Sequence, residues 1–276
     1  MKEATPQMNK PSTIEEVLTN RTRPKSPTAI QASATFAWRA LLRIRYVPEQ
    51  LFDVTIFPII FLLMFTYLFG GAISGSTGEY LNFVLPGILV MTVSMITMYT
   101  GLDLNKDIEK GVFDRFRSLP IWQPSVLVGA LLVDTLRYLI ASTIMVTLGY
   151  ILGFRPEAGF SGVIMGVAIL LLFSFSLSWI WTMLGIIVRS EKALMGISMM
   201  FLFPLTFLSS VFVDPSTMPN WLQKFVDINP ITFVVDAVRT LIHGSEANGD
   251  VMIVIYISIA LIVIFGPLTM YFFKNK

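Results

Sequence analysis

Along this chain, long stretches without a charged residue alternate with short polar links. Six are long: residues 54–78, 80–102, 138–154, 158–188, 193–213 and 251–273, of 25, 23, 17, 31, 21 and 23 residues. A helix crossing the hydrocarbon core needs roughly 20 apolar residues, within a range of about 17 to 25. Each run can therefore cross once, and none comfortably twice. The pattern predicts an all-α integral membrane protein with six transmembrane helices. Continuous runs exclude a porin-like barrel, which would show alternating segments of about ten residues. Pro58, Pro86, Pro204 and Pro267 lie inside runs and read as kinks whose freed carbonyls neighbouring helices satisfy. No internal repeat is visible, which argues against the inverted-repeat carriers.

Shorter mixed patterns flank the runs. Before the first, ATFAWRALLRIRYVPEQLFD sets Phe36, Leu41, Leu42, Ile44 and Val47 beside Arg39, Arg43 and Arg45. This predicts a helix lying in the membrane interface, its guanidinium groups toward lipid phosphate or a protein partner. Residues 103–122, DLNKDIEKGVFDRFRSLPIW, read as a loop on the inner side that places Ile108, Phe113 and Phe116 among eight charges. Such rings are an aggregation liability unless covered, either by a partner's groove or by the chain's own helix ends. Between the last two runs, NPITFVVDAVRTLIHG carries a cap at Asn229, proline at the first helical position and a stop at Gly244. Phe233, Val234, Ala237, Val238, Leu241 and Ile242 form one face, and Asp236, Arg239, Thr240 and His243 the other. Upstream, DPSTMPNWLQKFVD offers Trp221, Leu222 and Phe225 as interfacial anchors. Two short amphipathic helices on the outer leaflet, between spans five and six, could rim or lid an exit.

Composition agrees: 54% of residues are hydrophobic, 14% are charged and the mean hydropathy is +0.71, far from the balance of a soluble domain. With no cysteine and one histidine, His243, disulfide and thiolate chemistry are excluded, and a histidine metal site or Ser-His relay is untenable. Eleven basic residues flank the runs on one side (Arg39, Arg43, Arg45, Lys106, Lys110, Arg115, Arg117, Arg189, Lys192, Lys274 and Lys276) against Arg155, Lys224 and Arg239 on the other. The positive-inside bias puts both termini in the cytoplasm, with the chain in the cell membrane. Residues 1–33 read as a retained, disordered cytoplasmic tail. Asp134 and Arg137, three apart, share a helix face and read as a structural ion pair rather than a proton relay, as does Asp53. There is no GxxxxGK[ST], and the one glycine-serine cluster, GGAISGSTGE, lacks the lysine, so no P-loop binds ATP here. Met64, Met91, Met95, Met98, Met195, Met199 and Met200 suit a greasy, adaptable pathway, although such residues more often pack or face lipid.

Two of these stretches carry a resemblance. NPITFVVDAVRTLIHG, with FVDPSTMPNWLQKF before it, resembles the signature region of type-2 ABC transporter permeases. EKGVFDRFRSLPIW, followed by Gly129 and Asp134, is similar in particular to the branch typified by daunorubicin-resistance protein B. The match covers essentially everything after about residue 35; the usual Phe-x-Pro appears as FVDP, with Asp214 intervening. The resemblance implies that residues 34–276 form a permease domain that dimerises with itself and carries a separate ATPase subunit. It also implies export of an amphipathic drug or lipid-like compound. No catalytic, metal or cofactor residue falls on this chain; ATP and Mg would sit on the partner. Glu109, Gly111, Val112, Phe113, Phe116 and Arg117 would face the ATPase beside the interface helix with Arg39, Arg43 and Arg45. Trp221, Asn229, Pro230, Asp236 and Arg239 would belong to an outer gate. The alternative is a self-sufficient ion-coupled carrier or channel. An intramembrane enzyme has no convergent acid, base or metal set to support it.

Overall fold

The computed structural model describes residues 28–46, 48–112, 124–244 and 249–275, the side chains of 43–55 excepted. Within them every regular element is helical. Helix α1 (Ala29–Tyr46) starts inside the stretch assigned to the tail. A reciprocal cap sets that start: the Gln31 amide N–H donates to Thr28 Oγ1 at 3.3 Å, and the Thr28 N–H donates to Gln31 Oε1 at 3.2 Å.

The first run becomes α2 (Pro48–Met64), a π-helical turn (Phe65–Phe69) and α3 (Gly70–Ser74). Gly75, at φ 75°, ends it in a conformation that favours glycine. Ser76 then caps α4 (Thr77–Ile96) by accepting from the Glu79 N–H at 3.2 Å. A turn at Thr97 separates α4 from α5 (Met98–Glu109). The polar segment expected to loop from Asp103 is thus helical as far as Glu109. It stops where Gly111 takes φ 66°.

Four more long helices complete the bundle: α6 (Ser125–Leu152), α7 (Gly159–Ile187), α8 (Glu191–Phe207) and α11 (Asp250–Asn275). Between the last two lie a 3-10 turn (Pro215–Thr217), α9 (Asn220–Ile228) and α10 (Pro230–His243). Five segments of the described chain are long and apolar enough to cross a membrane: Ile56–Ser74, Thr77–Glu109, Ser125–Leu152, Gly159–Ile187 and Asp250–Asn275. The run at 193–213 gives only the 17 residues of α8. At 1.5 Å per residue that is about 25 Å of a core roughly 30 Å thick.

Helix α4 is the axis of the molecule. Leu81, Val84, Leu85, Ile88, Leu89, Val90 and Val93 are all buried, as suits a helix apolar all round. Around it stand α2, α6, α7, α8 and α10. The four span prolines lie inside α2, α4, α8 and α11, which continue through them.

Candidate functional site

The end of the bundle where the basic residues gather is organised by α5. Gly101 lies so close to α7 that an added Cβ would meet the Trp181 carbonyl, and Gly185 lies equally close to Gly101. Around this contact Trp181 Nε1 donates to Thr97 Oγ1 at 2.9 Å. One turn beyond, the Asn105 amide donates to the carbonyls of Gly185 (2.9 Å) and Val188 (2.7 Å), closing the C-terminus of α7. Buried helix ends need such partners. Farther out, Lys106 reaches Glu191 of α8 at 3.6 Å. Helix α5 and the end of α7 are thereby locked together, and the segment that follows Glu109 hangs from this unit.

Glu109 is exposed, and Gly111 and Val112 are half-buried at the helix stop. Phe113, Phe116 and Arg117 lie outside the described residues. Arg39 of α1 pairs with Asp107 of α5 at 3.2 Å; the side chains of Arg43, Arg45 and Asp53 fall outside the description. The expected pair is present, with Arg137 Nη1 2.9 Å from Asp134, and Asp103 joins it at 3.4 Å from Nη2. Gly129 has a local explanation: the backbone of α1 at Ser33 and Ala37 packs directly on it.

At the opposite end, α8 stops short and α10 meets it. Asn229 donates through Nδ2 to the carbonyls of Leu205 (2.8 Å) and Leu208 (2.7 Å), while its Oδ1 accepts from the Ile231 N–H at 2.9 Å. One buried amide caps the N-terminus of α10 and the C-terminus of α8. Pro230 follows at the first helical position. The junction lies well inside the bundle, because Val211 abuts Gly87, ten residues and about 15 Å along α4 from its start. The far end of α10 is level with the end of the bundle: His243 Nε2 is 3.1 Å from the Asn82 carbonyl, and Gly244 touches Ala158. Helices α9 and α10 therefore form a hairpin that dips into the bundle.

The polar face of α10 is largely engaged by protein, with the Asp236 side chain 35% exposed. Arg239 pairs with Asp236 at 3.0 Å, donates to the carbonyls of Phe83 (3.2 Å) and Ser210 (3.0 Å), and lies 4.1 Å over the Phe83 ring. Asp236 also accepts from Ser210 Oγ at 2.8 Å. No residue from Ile231 to His243 is fully exposed. The Ser210 carbonyl, at the bend after α8 and outside any helix, is one of the groups that engage this face. The opposite side of α10 fits Gly162 and Gly166 of α7, a small-xxx-small pair that is the missed sequence signal for this docking. In α9 only Val226 is buried; Trp221, Phe225 and Ile228 form an exposed stripe at helical spacing. Asp214 is held below the usual carboxylate range by the Ser216 N–H that donates to it.

Between the two ends, an apolar cavity of about 280 Å³ opens among α2, α4, α5 and α8. Five of the seven methionines singled out, Met91, Met95, Met98, Met195 and Met199, line it with Phe203 among others. Met64 and Met200 face outward. From the cavity wall, Phe57 and Phe61 of α2 and Phe65 and Phe69 of the π-helical turn pack ring against ring in a row. Phe61 meets Phe207 at 6.4 Å and Phe65 meets Phe212 at 4.4 Å.

The model of the ABC-2 type transporter family matches residues 31–243. The chain is 49% identical over 263 residues, 95% of its own length and 93% of the relative's, to the daunorubicin resistance ABC transporter permease protein DrrB1 of Streptomyces coeruleorubidus. It is 27% identical over 222 residues, 79% of this chain and 76% of the relative, to the putative transport permease ycf38 of Cyanophora paradoxa. It is 21% identical over 192 residues, 68% of each chain, to the probable doxorubicin resistance ABC transporter permease protein DrrC of Mycobacterium tuberculosis.

Proposed function

Because the chain belongs to the ABC-2 type transporter family as a permease subunit, we propose that it exports an amphipathic, drug-like compound across the cell membrane, driven by ATP hydrolysed on a separate subunit. The family match across residues 31–243 carries this reading. Two relatives named for daunorubicin and doxorubicin resistance support the cargo class. The methionine and phenylalanine cavity suits it too, since thioethers and rings adapt to greasy ligands of varied shape.

In this reading residues 34–276 are the permease domain and two copies pair, each with an ATPase that holds ATP and Mg. Helix α8 is the fifth of six spans, short of the full core thickness, with the hairpin meeting its outer end. The basic end is cytoplasmic, with both termini, and α1 lies in the inner interface. The segment Glu109, Gly111, Val112, Phe113, Phe116 and Arg117 meets the ATPase. Its suspension from the locked α5 and α7 ends supports this, because a push on a stiff element is transmitted rather than absorbed. The α9–α10 hairpin, with Trp221, Asn229, Pro230, Asp236 and Arg239, forms the outer gate.

Affinity isolation of the chain from its native membrane in mild detergent tests the proposal. A stoichiometric soluble partner with a P-loop is expected. Replacing Phe113 and Phe116 together by alanine should weaken its retention by a few kcal/mol, the range of aromatic hot spots, with membrane insertion intact. A chain that isolates alone yet drives flux on an ion gradient would establish the carrier instead.

A further inference from the structure

A second cavity, of about 330 Å³, lies at the basic end between α1, α5 and α6. At that size it is too roomy for a lone ion. Its walls are of two kinds. Phe36, Leu42, Leu104, Leu127 and Val133 are among its apolar lining, while Arg39, Asp103, Asp107, Asp134 and Arg137 supply charges of both signs from three helices. Asp103 and Asp107 stand four apart on α5, so they share a face, and each is ion-paired to an arginine of another helix. Arg137 and Asp134 are almost fully buried, whereas the Arg39 side chain is 44% exposed. The charged lining therefore runs from a partly open mouth at Arg39 to a buried floor at Asp134 and Arg137. Leu42, also on the lining, is itself exposed, and Trp38 and Ile30 extend the apolar surface along α1.

We propose that this cavity binds the headgroup of a zwitterionic aminophospholipid from the inner leaflet. The primary ammonium, with three N–H donors, sits between the Asp103 and Asp107 carboxylates. The phosphate lies at the mouth against the Arg39 guanidinium, whose planar fork suits it. The glyceride leaves across Leu42 and joins the surrounding lipid. Charge of both signs favours a zwitterion over a purely anionic headgroup, which the aspartates repel. It also favours ammonium over choline, whose methylated nitrogen has no donor. The bound lipid would bridge α1 to α5, the helix that leads to the segment at Glu109. The inference rests on the membrane orientation proposed above, which turns this mouth toward the inner leaflet.

The test is thermal unfolding of the full-length chain, delipidated in detergent and titrated with phosphatidylethanolamine, phosphatidylcholine or phosphatidylglycerol of matched acyl chains. Phosphatidylethanolamine should raise the midpoint by several degrees and saturate, as a ligand of the folded state does; the other two should have little effect. Ala130 of α6 also lines the cavity, so Ala130→Leu fills it without touching a charge and should abolish the response. Asp107→Asn, at a half-buried position, should weaken it and serves if Ala130→Leu fails to fold. Equal responses to the three lipids, a preference for phosphatidylglycerol, or folded variants that respond as the parent does would overturn the proposal. The measurement uses neither ATPase nor transport, so its failure is separate from failure of the exporter reading.

Discussion

Asn229 works with both ends of one planar amide. Its oxygen caps α10 and its nitrogen serves two carbonyls of α8, where water is scarce and unmet carbonyls are costly. Asn229→Asp keeps the capping acceptor and removes both donors. The expected loss is about 2–3 kcal/mol, the usual consequence of stranding buried polar groups, read as a lower unfolding midpoint in detergent. Arg239 is a different case, because its fork spans Asp236 and two carbonyls at once. Arg239→Lys retains the charge but not that geometry, and a loss of about 1–3 kcal/mol is expected. A variant as stable as the parent would show that the carbonyl contacts contribute little. Both residues stood out in the sequence as a cap and a polar-face cation. Apart from Asp236, their partners did not, since Leu205, Leu208, Ser210 and Phe83 contribute backbone carbonyls, which carry no mark in a sequence.

At the level of helices, the contact of α5 with α7 depends on the absence of side chains. Gly101→Ala forces a methyl group against the Trp181 carbonyl and should destabilise by about 1–3 kcal/mol as the helices spread. Gly196→Ala, in α8 with nothing near its Cβ position, should be neutral or stabilising by up to about 1 kcal/mol through helix propensity. Thermal unfolding of the two variants side by side checks the contrast; equal effects would mean that the close approach relaxes freely. The long helices were legible because charge-free runs of span length have few other solutions. Their ends were less so. Helix α1 begins at the Thr28 and Gln31 cap, a T-x-x-Q signal inside a Pro- and Ser-rich stretch. Residues 103–109 read as loop from their charge, yet they are helical because Arg39, Arg137 and Lys106 contacts occupy those charges. The dip of α10 was hidden by an ordinary amphipathic pattern, whose polar face largely meets protein in place of water.

For the molecule as a whole, orientation is open to a direct test, because the chain contains no cysteine. Single substitutions therefore report without background. Asn220→Cys, exposed at the start of α9, should react in intact cells with a membrane-impermeant maleimide. Lys192→Cys, exposed at the basic end, should react only after permeabilisation. The reverse pattern would place the basic end outside and overturn the proposed membrane orientation. The shortness of α8 has a further consequence on this scale. A helix of about 25 Å beside α7, which has 29 residues, presents lipid with an uneven hydrophobic height around the perimeter. The bilayer is expected to thin locally beside α8, where Met200 and Phe201 face outward. Thickness of the surrounding membrane then becomes a variable to which this protein responds: shorter acyl chains should relieve the mismatch at α8, and longer ones should aggravate it.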